Sequence, residues 1–113
     1  MLEIILTKGI PASGKSTFAK QLVVDKGYVR ANKDDIREML YKSIWTKDKE
    51  KLVLSVRDHI VEEALKENKN VVVDDTNFNS KHFKQMCLIA QQFDKDITVR
   101  EKYFPIEIGR AHV

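Results

Sequence analysis

The sequence predicts an α/β fold built on a parallel β-sheet of about four strands with helices on both faces. Three observations predict it. Short β-branched runs alternate with longer stretches whose apolar residues recur every three or four positions. Two of those runs, Ile4-Ile5-Leu6 and Val71-Val72-Val73, are unbroken rather than alternating, as strands covered on both sides require. The turn after the first run is glycine-rich and passes directly into a helical pattern. In such sheets ligands sit at the carboxyl ends of the strands. The turns after Thr7, Ala31 and Val73 are therefore expected to open along one edge.

Leu2 to Thr7 reads as the first buried strand. From Lys15 a helix places Phe18, Ala19, Leu22 and Val23 on one side and is closed by Gly27. Tyr28 to Ala31 is a weaker second strand. Asn32-Lys33-Asp34-Asp35 carries three residues favoured at helix starts, with Ile36, Met39 and Leu40 following at helical spacing. Trp45 to Lys51 is a polar break. Leu52, Val53, Val56, Ile60, Ala64 and Leu65 then mark the longest amphipathic helix, ending near Asn68. Val71-Val72-Val73 is a central strand, and Asp74 to Asn79 a loop. Phe83, Met86, Cys87, Ala90 and Phe93 mark another helix. Ile97 to Phe104 alternates as the last strand, with Ile97, Val99 and Tyr103 facing one way.

The first turn carries the clearest chemistry. Gly9-Ile10-Pro11-Ala12-Ser13-Gly14-Lys15-Ser16 matches G-x-x-x-x-G-K-[ST] at every fixed position, and Thr17 follows. Glycines let the backbone wrap an oligophosphate so that its N–H groups and a helix N-terminus face the anion. Lys15 places a point charge on the terminal phosphates and Ser16 offers a hydroxyl to Mg²⁺. A strand before and a helix after supply the context this P-loop needs, so the fold is of the P-loop NTPase type. The loop implies triphosphate binding by Gly9 through Thr17 but not what is done with the triphosphate, since GTPases, ATPases and small kinases share it. Lys8 is expected to be a solvent-facing charge.

Asp34 and Arg37 lie one helical turn apart on one face. There a carboxylate can take a proton from an attacking hydroxyl, and an arginine can steady an acceptor phosphate. Spacing alone favours a capping carboxylate with an i,i+3 ion pair, which is common in soluble helices. In the third turn, Asp74-Asp75-Thr76-Asn77, an acid can hold a Mg²⁺ shell, with Thr76 and Asn77 orienting phosphate or Lys15 and expected on the acceptor side; an Asx-type turn before a helix is an equal reading.

The chain has 113 residues and a net charge of +3, with 42% hydrophobic and 33% charged residues, fitting one globular domain. The mild basic excess suits a phosphate-bearing partner or simply a solvated surface. No apolar run has the ~20 residues of a membrane helix, and a signal peptide is not expected, since Met1-Leu2-Glu3-Ile4-Ile5-Leu6 goes straight into a strand pattern. Cys87, the single cysteine, excludes an internal disulfide and points to a reducing compartment, with the cytoplasm as the default.

These three turns together resemble the kinase domain of phage-type polynucleotide 5′-hydroxyl kinases. The resemblance runs from residue 2 to about 105. It rests on Ile4-Ile5-Leu6-Thr7 before Gly9-x-Pro11-x-Ser13-Gly14-Lys15-Ser16-Thr17, then Asn32-x-Asp34-Asp35-x-Arg37, then Asp75-Thr76-Asn77-x-Asn79. It implies ATP and Mg²⁺ as cofactors and a nucleic acid 5′-hydroxyl end as acceptor. It also implies Asp34 as general base, Arg37 on the acceptor side, Lys15 and Ser16 on donor phosphates and metal, and Asp75 and Thr76 shaping the reaction centre. Position 33 is Lys where the phage enzyme has Arg. The same pattern occurs in small kinases with other acceptors, so a small-molecule kinase, or an ATPase or nucleotide switch with no acceptor, stays open.

These kinases carry a lid after the last strand predicted here, and the sequence is expected to lack it. The domain is read as 1–107. Residues 108–113 read as one frame of a common sequencing adapter, so they are expected to be a non-native tail on a truncated reading frame. A homo-oligomer, or a phosphatase or ligase domain fused in the intact protein, is compatible with the resemblance. His59 and His82 are expected to be solvated, Cys87 to fill the core, and Trp45 and Phe78 to pack under loops unless they stack on a nucleobase.

Overall fold

The computed structural model describes residues 2–10 and 13–104. Pro11, Ala12 and the tail 108–113 lie outside the described residues. The elements are β1 (Leu2–Lys8), α1 (Lys15–Lys26), β2 (Val29–Ala31), α2 (Lys33–Tyr41), α3 (Lys47–Lys66), β3 (Val71–Val73), α4 (Ser80–Gln91) and β4 (Ile97–Tyr103). They form the expected four-stranded sheet, in the order β2-β3-β1-β4 with every pair parallel. The two central strands are the two unbroken apolar runs.

Strand alternation divides the core between the faces. Ile4, Leu6, Val71 and Val73 pack with Val61, Ala64 and Leu65 of α3 and Met86, Ile89 and Ala90 of α4. Ile5 and Val72 face the other way, against Ala19, Phe18 and Leu22 of α1. Parallel neighbours require these crossovers, and the helices in them cover both faces.

Register sets the functional edge. Leu6 pairs with Val73, and Val73 pairs with Ala31, so β2 and β3 end level while β1 runs on beside β4 to Lys8. The chain therefore leaves the sheet after Lys8, Val73 and Ala31 on one edge, as expected.

Helix ends follow local chemistry. Gly27 closes α1 with φ 72°, and its N–H donates to the Val23 carbonyl. Asn32 caps α2 through Oδ1, which accepts from Asp35 N at 2.7 Å. The expected break at Trp45–Lys51 is shorter than predicted. Thr46 Oγ1 accepts from Lys49 N at 3.1 Å and starts α3 at Lys47. That cap outweighs the polar composition of the first turn.

Several side chains differ from expectation. Val23 and Met39 are exposed despite their helical spacing, because α1 and α2 each bury a narrow stripe. Tyr103 is exposed, whereas Ile97 and Val99 pack on the core. Cys87 is only half-buried. Among the described residues, no helix is long and apolar enough to cross a membrane.

Candidate active site

The three turns enclose one polar cavity of about 400 Å³ lined by Gly14, Lys15, Ser16, Thr17, Asn32, Asp34, Asp74, Asp75 and Thr76. Its floor is the start of α1. Gly14 precedes that helix with φ 99°, a conformation that favours glycine, and no side chain caps the helix N-terminus. The first N–H groups of α1 are thus left for an anion. Lys15 is buried, and its Nζ donates to the Ile10 carbonyl at 2.8 Å. Gly9 N donates to Thr76 O at 3.4 Å, tying the loop to the third turn. A Cβ on Gly9 would sit 2.7 Å from Phe104 O and 2.8 Å from Ser13 Oγ, so the position admits no side chain.

The adjacent acids of the third turn have different roles. Asp74 Oδ2 accepts from Arg30 Nε at 2.8 Å and Nη2 at 2.7 Å, so its charge is spent inside the fold. Asp75 Oδ1 accepts from Lys33 N at 2.9 Å, but its buried Oδ2 has no partner. Burial pushes the Asp75 carboxyl up to about 7 against the opposing Lys33 N–H. Among the described residues, the buried side-chain oxygens without a partner are Asp75 Oδ2, Ser13 Oγ and Asn77 Oδ1, all in or beside the first and third turns. Unsatisfied buried oxygens are costly, and of these three residues Asp75 is the one that lines the cavity.

Thr76 lines the cavity, but Asn77 does not. Asn77, expected on the acceptor side, is buried with φ 52°, and its Nδ2 donates to Thr7 O at 2.7 Å. It braces the turn against β1. Thr7 Oγ1 donates to Asp75 O at 3.0 Å and completes the brace.

In the second turn, Asp34 lines the cavity with its side chain 86% exposed. Arg37 Nη1 donates to Asp34 Oδ1 at 2.7 Å. Arg37 also makes a fork with Glu50 of α3, with Nη2 at 2.9 Å from Oε1 and 3.0 Å from Oε2. Burial opposes the Arg37 cation, yet Glu50 and Asp34 hold its pKa above the ordinary value. Arg37 sits at the cavity rim rather than among its lining residues. Asn32 and Thr17 complete the lining, and Glu50 is a site residue that the sequence did not single out.

Lys8 is not solvent-facing: its Nζ lies 2.7 Å from Glu101 Oε2, joining β1 to β4. Of the two histidines, His59 is exposed, whereas His82 is buried and its Nδ1 lies 2.9 Å from Arg57 Nη1. Arg57, itself buried, can only donate, so His82 Nδ1 accepts and the ring is neutral. Burial pushes the His82 pKa down to about 4. The sequence carried a signal for Arg57: it lies four residues from both Val53 and Val61 on the buried stripe of α3. Trp45 and Phe78 are exposed rather than packed under loops.

The family described as AAA domain matches residues 4–101, which contain all three turns. The chain belongs to the AAA domain family. This AAA domain is 38% identical over 92 residues to the bifunctional polynucleotide phosphatase/kinase of Schizosaccharomyces pombe, across 81% of this chain and 19% of that protein. It is 29% identical over 96 residues to the L-seryl-tRNA(Sec) kinase of Methanococcus maripaludis, across 80% of this chain and 37% of that protein. The structure of a Pnkp1/Rnl/Hen1 complex contains a chain that superposes with a TM-score of 0.78 at 28% identity, covering 99% of this chain and 40% of that one. The AAA domain spans less than half the length of each of these proteins.

Proposed function

We propose that this AAA domain is the phosphotransfer unit of an ATP- and Mg²⁺-dependent kinase that phosphorylates a polynucleotide 5′-hydroxyl. One observation carries the reading: the phosphate loop and the exposed carboxylate of Asp34 line the same cavity. A donor site and a proton acceptor facing each other are what hydroxyl phosphorylation requires.

The unpartnered oxygens of Asp75 and Ser13 and the uncapped start of α1 fit a triphosphate with its cation. Among the described residues no cluster of three or more His, Cys, Asp or Glu could hold a metal ion. Ser16 and Asp75 would therefore hold Mg²⁺ together with the donor phosphates, as this ion commonly requires. When bound, the ion supplies charge neutralisation on the transferring phosphoryl group.

The protein's own groups do the rest. The α1 N-terminus and Lys15 hold the terminal phosphates, Lys15 leaving the Ile10 carbonyl to do so. Asp34 accepts the proton of the acceptor hydroxyl as that oxygen bonds to the γ-phosphorus and the bond to the β-γ bridging oxygen breaks. Arg37, fixed by Glu50, binds the acceptor's first phosphate. The nucleic acid acceptor is supported by similarity to a polynucleotide phosphatase/kinase. Similarity to L-seryl-tRNA(Sec) kinase supports a second reading, a different hydroxyl acceptor at the same base. Whole-protein features, including a lid over the donor site and a fused phosphatase or ligase domain, belong to this proposal too.

The test incubates labelled ATP–Mg²⁺ with 5′-hydroxyl DNA, 5′-hydroxyl RNA and a panel of small hydroxyl compounds, using the wild type and Asp34→Asn. Label on the oligonucleotides, lost in Asp34→Asn with ATP binding retained, is expected. Label on small compounds alone selects the second reading, and ATP hydrolysis indifferent to Asp34→Asn would sink both.

A further inference from the structure

The turn from α2 into α3 carries an exposed aromatic that the chemistry above leaves unused. Trp45 is 61% exposed and Ile44 beside it 58%. The exposure does not come from a loose loop. Lys42 N donates to Glu38 O, Ser43 N to Arg37 O and Ile44 N to Tyr41 O, and Thr46 caps α3. Lys42 and Ser43 adopt φ 53° and 66°, which turns the chain sharply and holds Trp45 outward.

The surroundings are basic. Lys42, Lys47, Lys49 and Lys51 fall within ten residues, against Asp48 and Glu50. Glu50 is already neutralised by Arg37, and Lys49 lies 5.4 Å from the Tyr41 ring centroid. Among the described residues, Lys42, Lys47 and Lys51 have no acidic partner. An exposed tryptophan flanked along the chain by unpaired lysines suits a single-stranded nucleic acid, whose bases stack on aromatics while its phosphates meet lysines.

The turn is also continuous with the rim of the cavity. Asp34 is at the start of α2 and Arg37 follows one helical turn along. The Arg37–Glu50 fork ties the first turn of α3 to that path. At 1.5 Å per residue, Lys42 lies ~12 Å beyond Asp34 along the helix axis. Two to four nucleotides of a single strand span about that distance.

We propose that Trp45 is a stacking platform for a base a few nucleotides downstream of the 5′ end, with Lys42 and Lys47 holding neighbouring phosphates. This rests on the polynucleotide reading of the acceptor and adds to it a single-stranded footprint longer than one nucleotide.

Trp45 is the only tryptophan, so its fluorescence reports the contact directly. Titration with a 5′-hydroxyl hexanucleotide is expected to quench it, and a nucleoside 3′-phosphate is not. Trp45→Ala should weaken hexanucleotide binding about tenfold or more by anisotropy, leave the mononucleotide unaffected, and be largely rescued in Trp45→Phe. Lys42→Gln with Lys47→Gln should lower the salt slope of binding by about 1.4. No quenching, equal quenching by heparin, equal loss for both ligands, or fluorescence that changes only with protein concentration (a second copy on the turn) overturns the proposal. The kinase reading fails separately: label transfer without quenching removes only the platform, and quenching without label transfer removes only the kinase.

Discussion

Glu50 grips Arg37 from a different helix, thirteen residues away, with both carboxylate oxygens within 3.0 Å of Nη2. The grip fixes which way the guanidinium faces before any acceptor arrives. Glu50→Ala is expected to raise the acceptor KM about tenfold with ATP affinity unchanged, and to cost only about 1 kcal/mol of stability because the pair is partly exposed. In Arg37→Ala the same change should add little, since the two act as one unit. Steady-state kinetics with varied acceptor on the four proteins checks this.

Gly9 has no room for a methyl group. Gly9→Ala places a Cβ 2.9 Å from Phe104 Cβ as well as against Phe104 O. A loss of ~1–3 kcal/mol from overpacking is expected, with weaker ATP binding, since relief requires the loop to move. Thermal melts with and without ATP–Mg²⁺ measure both.

Asp75 is a carboxyl with one oxygen buried and unpartnered. Asp75→Asn keeps its shape and removes its charge. In the absence of nucleotide at pH 8 the variant is expected to be more stable than wild type by on the order of 1 kcal/mol, while phosphoryl transfer drops. Equal stability in chemical denaturation would contradict the assignment of that cost to Asp75.

His82 gives a pH signature. Its pKa is about 4 in the fold against an ordinary 6.5, so the unfolded chain binds the extra proton first. Its contribution is present above pH 6.5 and is lost as the pH falls from 6.5 through 4. Between pH 7 and 4 the wild type should lose on the order of 2 kcal/mol more than His82→Gln does. Urea denaturation at both pH values reads the difference.

The phosphate-loop motif was legible in the sequence because its parts are local. Nine consecutive residues supply loop, lysine and hydroxyl, and the unbroken valine and isoleucine runs mark the central strands. That the three turns share one edge followed from parallel pairing. Less legible was anything set by pairing across elements. Nothing in Asp74-Asp75 says which acid is already taken, because Arg30 decides it from β2. Asn77 looked like a polar site residue because its neighbours are. Its positive φ and its bond to Thr7 O turn it inward instead. Arg57 and His82, 25 residues apart, satisfy each other across two helices. Each sits on an apolar stripe where a charged or polar side chain needs such a partner.

The shared edge has a modular consequence. The phosphate loop and Asp75 hang from β1 and β3, whereas Asp34, Arg37, Glu50 and the turn to Trp45 all hang from β2, the short strand at the sheet's edge. A segment of about twenty residues, 32–51, could be exchanged between relatives with little disturbance to the buried strands that carry the phosphate loop. If the proposed reading holds, recognition of the acceptor is a cassette plugged into the margin of the sheet, apart from the strands that carry the phosphate loop.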